Sequence, residues 1–225
     1  MSELVFIDFH THGGVPGGTP DGALRICSTP AAEFDRMPPA GCFKTLELHP
    51  WSATELPTDF AELAGRRDCL GVGEAGLDRA RGKLPLAGQV TLFARVAAVA
   101  EAAGKPLTVH CVGCHGELLG LFKQKPWRVP TIFHYFTGKA ALARQFLRLK
   151  NWYLSLAPIA LCNSGLMNFL RGEPSLLDRI VLETDDPHGD IQAHWRNAAE
   201  ALGLSMTALA ERMHENFRRI YPEAL

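Results

Sequence analysis

The stretch "LVFIDFHTHGG" closes an apolar run with two histidines, His10 and His12, one residue apart. On a strand, alternate side chains share a face, so these imidazoles point the same way and could hold one transition-metal ion. Taken alone, the pair equally fits two polar residues where a strand leaves the core. The same conjunction returns along the chain. "CLGVGEAGLD" reaches Glu74, "PLTVHC" reaches His110, "VPTIFHYFTG" reaches His134, and "RIVLETDDPHG" ends with Glu183 and Asp185. Imidazoles mixed with carboxylates favour Zn, Mn or Co over an all-oxygen Mg site. Each residue has a plainer reading too, as a carboxylate opening a helix or a hydrogen-bonded core histidine. Repetition on five strand ends argues for one shared site. Three remaining tips act as controls, Cys27–Ser28, His49–Pro50 and Ser155, and only His49 among them is another strong ligand.

Bringing such distant residues together requires a scaffold that points many strand ends one way. Apolar strand candidates lie at about 4–10, 23–28, 42–48, 68–74, 106–111, 130–134, 152–156 and 179–184. Between several of them run helical patterns. "PLAGQVTLFARVAAVAEAAGK" is apolar on one face and stops at Gly104, and "GKAALARQFLRLK" ends in basic residues. "SMTALAERMHENFRRIY" opens on a Ser205 cap and spaces Leu209, Met213, Phe217 and Ile220 helically. Alternation of this kind predicts a parallel sheet, and eight strands predict a compact (β/α)8 TIM barrel, with chemistry at the carboxyl ends of the strands. A doubly wound open sheet is the runner-up. The proline-broken segment 28–42 predicts a reduced crossover between strands 2 and 3. With no repeat, linker or low-complexity block, residues 1–225 read as a single domain.

Composition excludes little but narrows the setting. A hydrophobic share of 47% with 21% charged residues is that of an ordinary globular protein. A net charge of −1 gives no global attraction to nucleic acid, so such a substrate would need a local basic rim or metal ions. No apolar run approaches the roughly 20 residues of a membrane span, and no leader-like segment precedes the first strand. A cytoplasmic protein with its six cysteines reduced is expected, with no membrane and no obligate protein partner implied. "CVGCH", Cys111 to His115, matches the haem-attachment pattern, but haem is not expected without export. A strand-to-helix turn with small, partly buried cysteines accounts for it. Gly13, Gly14, Gly17 and Gly18 lack the Lys–Ser/Thr of a phosphate loop and instead let the first loop pass close to the site.

As an ordered set, the motifs resemble the TatD-like metal-dependent hydrolases. They are "DFHTH" (Asp8–His12), "ELHP" (Glu47–Pro50), "GEAGLD" (Gly73–Asp78), "VH" (Val109–His110), "HYFTG" (His134–Gly138) and "ETDDP" (Glu183–Pro187). "ENFRRIY" is similar to that family's closing Asn-containing helix. The resemblance spans nearly the whole chain. It implies a (β/α) barrel with two divalent ions (Zn, Mn or Mg) and hydrolysis, most often of nucleic-acid phosphodiesters. By the same resemblance, His10, His12, Glu74 and Asp185 would hold one ion and Glu74, His110 and His134 the second. Glu74 would then bridge, and Asp185 would serve as the general base. Glu183, two residues before Asp185, is expected on the same strand face as a supporting or substrate-binding group. His49, of the "HP" pair, and His188, in a nearby loop, are candidate substrate contacts.

The pattern departs from the family in places. Gly13–Gly14 replaces the Leu–Asp that commonly follows the histidine pair, and Val112 stands where an Arg is usual. "GLDRA" replaces a more aromatic continuation, although Arg79 and Arg81 could supply charge there. These positions face substrate, so hydrolysis is better supported than DNA as the thing hydrolysed. Two other functions stay open: metal-dependent hydrolysis of an amide, lactone or other ester, and a non-catalytic metal- or partner-binding barrel.

Overall fold

The structure, a computed structural model, describes residues 5–13 and 22–224. Gly14, Gly17 and Gly18 therefore lie outside the described residues, as does Leu4. Eight strands follow one another in a single sheet in chain order: β1 (Ile7–His12), β2 (Leu24–Pro30), β3 (Cys42–Leu48), β4 (Cys69–Asp78), β5 (Leu107–Val112), β6 (Thr131–Phe133), β7 (Trp152–Leu156) and β8 (Ile180–Leu182). The helices between and after them are α1 (Phe60–Ala64), α2 (Leu86–Ala103), α3 (His115–Gln124), α4 (Ala140–Leu147), α5 (Ser164–Gly172), α6 (Ile191–Leu202) and α7 (Met206–Ile220). This is (β/α)8 barrel topology, and the strand positions match the sequence expectation closely. The crossover between β2 and β3 is reduced, as expected, to one 3-10 turn at Ala31–Glu33.

Contacts divide the chain into two compact units, one of Met1–Cys27, Pro38–Phe43 and Tyr135–Leu225 and one of Ser28–Met37 and Lys44–His134. In the first unit, β7 and β8 pair in parallel, Leu154 with Ile180 through Leu156 with Leu182. Trp195 of α6 is buried and donates its indole N–H to the Ile7 carbonyl at 3.1 Å, fastening that helix to β1. α7 starts where Ser205 Oγ accepts the Ala208 N–H, satisfying a donor the first helical turn leaves open. Its buried face runs Leu209, Met213, Asn216, Phe217 and Ile220. Asn216 is polar yet fully buried because its amide donates to the Ile180 carbonyl at 2.8 Å, tying α7 to β8.

In the second unit, β4 pairs with β5 and β5 with β6, all in parallel. β4 and β5 approach so closely that a Cβ on Gly76 would stand 1.9 Å from the His110 carbonyl oxygen, so only glycine fits there. α2 buries Gln89, Leu92, Phe93, Val96, Ala97 and Ala100 at helical spacing and ends at left-handed Gly104, where the Lys105 N–H bonds the Ala100 carbonyl. At 18 residues and a mean hydropathy of 1.3, α2 is long and apolar enough to cross a membrane by length and composition alone, a test that a core helix also passes. Its buried face serves the sheet. Gln89 on that face accepts the Asp78 N–H at 2.7 Å and returns a bond to the Asp78 carbonyl at 3.0 Å.

Two strand ends differ from expectation in ways that bear on the site. β4 does not stop at Glu74. Its pairing with β5 resumes after a register shift between Val72 and Ala75 and continues to Asp78–Val112, so Glu74 lies inside the strand. β8 stops at Leu182, and Asp185 adopts a left-handed backbone at φ 58°. Glu183 and Asp185 therefore do not share a strand face. The chain turns because Thr184 is captured by Asp8, whose carboxylate accepts the Thr184 N–H at 2.9 Å and its hydroxyl at 2.6 Å.

Candidate metal centre

In the second unit, three imidazoles converge on one carboxylate oxygen. Glu74 Oε1 lies 2.5 Å from His110 Nδ1, 3.3 Å from His49 Nε2 and 3.4 Å from His134 Nε2. The carboxylate is buried and the rings nearly so, with side-chain exposures of 1% for Glu74 and 10% or less for the histidines. Ligand atoms of His49, Glu74 and His110 lie within 4.8 Å of one another, the spacing of side chains able to share an ion. β4 supplies Glu74 and β5 supplies His110, while His49 and His134 directly follow β3 and β6.

A second layer fixes these groups. His110 Nε2 lies 3.1 Å from Asp78 Oδ2, which also accepts the Trp51 indole N–H at 2.6 Å. Asp78 Oδ1 accepts the backbone N–H of Ala80 and of Arg81, each at 2.8 Å. Burial pushes the Asp78 pKa up, but the bonds from Trp51, Arg81, His110 and Ala80 outweigh it and hold the carboxyl below its ordinary value. An ionised Asp78 must accept, so Nε2 of His110 carries a proton. In the neutral ring Nδ1 is then a lone pair facing the Glu74 carboxylate, and a second proton or a cation is needed between them. A divalent ion suits this donor set, since a metal-binding histidine typically gives its other N–H to a carboxylate. Glu74 is anchored from behind, its N–H bonding Ser28 Oγ at 3.0 Å while that hydroxyl donates to Glu47 Oε2 at 2.8 Å.

The first unit carries a smaller, more open group. His10 and His12 meet edge to face with ring centroids 5.0 Å apart, as residues on one strand face should. Asp185 Oδ1 stands 3.6 Å from His10 Nε2 and 3.4 Å from His12 Nε2. The Asp185 N–H bonds the His10 carbonyl at 3.1 Å, which sets the loop against β1. Exposure differs sharply within the group, from 1% for the His10 side chain to 27% for Asp185 and 41% for His12. Asp8 behind them is fully buried, and desolvation pushes its pKa up to about 7 against the opposing bonds from Thr184. Glu183 is equally buried. Its oxygens accept the Tyr135 N–H at 2.6 Å and the Ser155 hydroxyl at 2.5 Å, so it braces the loop after β6 and does not reach solvent as a substrate contact would.

A family model described as TatD related DNase matches residues 31–222. The chain belongs to the TatD-related DNase family. Among relatives of this family, the 3'-5' ssDNA/RNA exonuclease TatD of Cronobacter turicensis is 31% identical over 158 residues, 66% of this chain and 59% of that protein. The uncharacterized metal-dependent hydrolase YabD of Bacillus subtilis is 29% identical over 152 residues, 64% of this chain and 58% of that protein. The chain thus spans a little under three fifths of these relatives' length. Among solved structures, the TatD homolog YJJV of Escherichia coli superposes with a TM-score of 0.77 at 19% identity over 96% of this chain and 98% of that one. A TatD family hydrolase from Entamoeba histolytica gives 0.74 at 16%, over 97% and 98%. These likenesses show the barrel fold. The TatD match begins after β1, so His10 and His12 stand on the geometry of their own strand.

Sequence reasoning missed several residues that pack around these ligand groups. Asp78 was visible only as the end of "GEAGLD", Trp51 carried no signal, and Ser28 and Ser155 were set aside as controls. His49, expected at substrate, lies against Glu74. His188 is an exposed loop residue whose N–H bonds Asp186. Cys111 and Cys114 are buried free thiols at the turn from β5 into α3, and burial pushes the Cys111 thiol up to about 12.

Proposed function

We propose that this chain is a divalent-metal-dependent hydrolase that cleaves phosphodiester bonds of the deoxyribonuclease type within a single catalytic domain. The observation that carries the reading is the convergence of His49, His110 and His134 on Glu74 Oε1, a buried donor set of the kind that holds a cation. By this reading His10, His12, Glu74 and Asp185 would hold one ion and Glu74, His110 and His134 a second, with Zn, Mn or Mg as the candidates. When bound, such ions would supply Lewis-acid activation of water and of the phosphoryl oxygens.

The remaining roles belong to the chain's own side chains. Glu74 fixes the spacing of the ligands, and Asp78 holds the His110 ring in the tautomer that offers Nδ1. Asp185 lies on a partly open loop, so its carboxylate can take the proton of the attacking water and return it to the leaving group. His49 adds a further imidazole beside Glu74, as a ligand or as a donor to the substrate. The free state of all six cysteines fits a reducing, cytoplasmic setting.

The test couples metal analysis of protein purified without added ions to assays with Mn, Mg and Zn on single-stranded DNA, an aryl phosphodiester and acyl substrates. Metal uptake and chelator-sensitive cleavage of the phosphodiesters are expected. Turnover of acyl esters or amides alone would move the chain to the second hydrolytic class. Tight metal uptake with no turnover on any substrate would make it a binding protein.

A further inference from the structure

The chain has four tryptophans, of which Trp127, Trp152 and Trp195 are 7%, 1% and 0% exposed and Trp51 is 44% exposed. A single exposed apolar residue needs no explanation in itself. Trp51, however, is fixed in place and sits beside the imidazole cluster. Its indole N–H is held by Asp78 at 2.6 Å, and its ring stands edge to face with His49 at 4.7 Å and with His110 at 6.0 Å. The Arg81 guanidinium lies 4.0 Å over the ring, and the Arg81 N–H bonds the same Asp78 carboxylate. One carboxylate thus aligns the indole, the start of the arginine and a metal-site imidazole.

Arg81 differs from its neighbour Arg79. The Arg79 guanidinium is tied to the Gly113 carbonyl at 2.9 Å and to Glu117 at 2.5 Å, whereas Arg81 makes no ion pair with a described residue. An exposed indole with an uncommitted planar cation over it offers two surfaces on which a base can stack and a charge for the adjoining phosphate. Both are set in advance, so binding costs little ordering.

We propose that Trp51 and Arg81 form a stacking platform for the nucleobase next to the scissile phosphate, making nucleic acid, rather than simple phosphodiesters, the substrate class. The proposal rests on the phosphodiesterase reading and specifies its substrate. It predicts that the site rewards a base where a bare sugar-phosphate strand offers none.

The experiment titrates the whole chain, in excess chelator, with a five-residue oligodeoxyadenylate and with an abasic strand of the same backbone. Binding is read by anisotropy of an end-labelled strand and by tryptophan emission. The base-bearing strand is expected to bind about tenfold more tightly than the abasic one and to quench the emission. W51A should bring the ratio of the two affinities close to one. W51F keeps a ring but loses the N–H to Asp78, and should retain most of the preference. Thermal melts of both variants check that the fold persists. A strand preference that survives W51A, no base-dependent binding at millimolar strand, or an equal loss in W51F would overturn the platform, the last by making Trp51 a positioning residue for Asp78. The titration needs no turnover, so base-selective binding without hydrolysis would remove the activity and leave the platform. Equal hydrolysis of both strands, without base-selective binding, would do the reverse.

Discussion

The two ligand groups of this chain are built differently. In the second unit, Glu74 and its imidazoles are buried, with Asp78, Ser28 and Gln89 bonded in behind them. In the first unit, His12 and Asp185 stand partly in solvent, and Asp185 sits on a loop with a left-handed backbone instead of on a strand. Burial with satisfied partners fixes geometry and removes competing water, while exposure leaves room for proton exchange. On the proposed reading, the buried group would hold its ion firmly and the open one would supply the group that moves protons.

The harshest way to break that division is Glu74→Gln. It removes the negative charge onto which three imidazoles converge. Activity should fall on the order of 10³-fold and bound metal should drop with it, because metal stabilisation of the transition state is worth several kcal/mol. Retention of full metal content would show that the buried group is not the holding one. Asp185→Asn attacks the other side. Turnover should fall about 10²- to 10⁴-fold, the range of a lost general base, while elemental analysis still finds metal on the buried group. Parallel loss of metal and rate in both variants would erase the distinction.

Asp78→Asn sharpens the comparison with a smaller effect. An amide can still accept from the Trp51 indole but no longer fixes the His110 proton by charge, so metal affinity at the buried group should weaken about 10- to 100-fold. Competition with a chromophoric chelator measures it. An unchanged affinity would mean the tautomer of His110 is set elsewhere.

The fold was legible because strand and helix periods are properties of short segments. β3 and β7 fall on the predicted boundaries, and α2 and α7 keep the faces their spacing implies. The ligand types were legible for the same reason, since each ends or follows an apolar run. What stayed hidden depends on pairing between segments. The extension of β4 past Glu74 follows from the register it takes with β5, and the turn at Asp185 follows from Asp8 capturing Thr184 across 176 positions. Ser28 and Ser155 were dismissed because a hydroxyl is a weak metal ligand. Their task is to bond a carboxylate's neighbourhood, and nothing in local sequence announces that. His49 was legible through the "HP" pair as a substrate contact, but Trp51 reads in "HPW" only as part of an exposed-looking turn.

The smallest predicted effect separates acid loss of metal from acid unfolding, which the comparison of the two groups requires. Away from both, Asp68 is gripped by Arg66 Nε and Nη2, each at 2.9 Å, and by Lys44 Nζ at 2.9 Å. The Arg66 bonds, then those of Lys44, outweigh the desolvation that opposes them and lower the Asp68 pKa to about 2 from 3.8. A carboxyl lowered on folding adds stability above its unfolded value, and that contribution disappears as pH falls from about 4 through 2. Imidazole and carboxylate ligands must be deprotonated to bind a cation, so acid should strip the ligand groups of metal before Asp68 titrates. Between pH 5 and 6, metal content should therefore drop while the metal-free chain keeps its folded baseline and a measurable denaturation midpoint. Asp68→Asn should lower that midpoint slightly at pH 6 and converge with the parent near pH 2, the pair being too exposed for a large effect. If the metal-free parent instead loses its folded baseline across pH 5 to 6, acid release of metal reports unfolding, and it cannot rank the buried group against the open one.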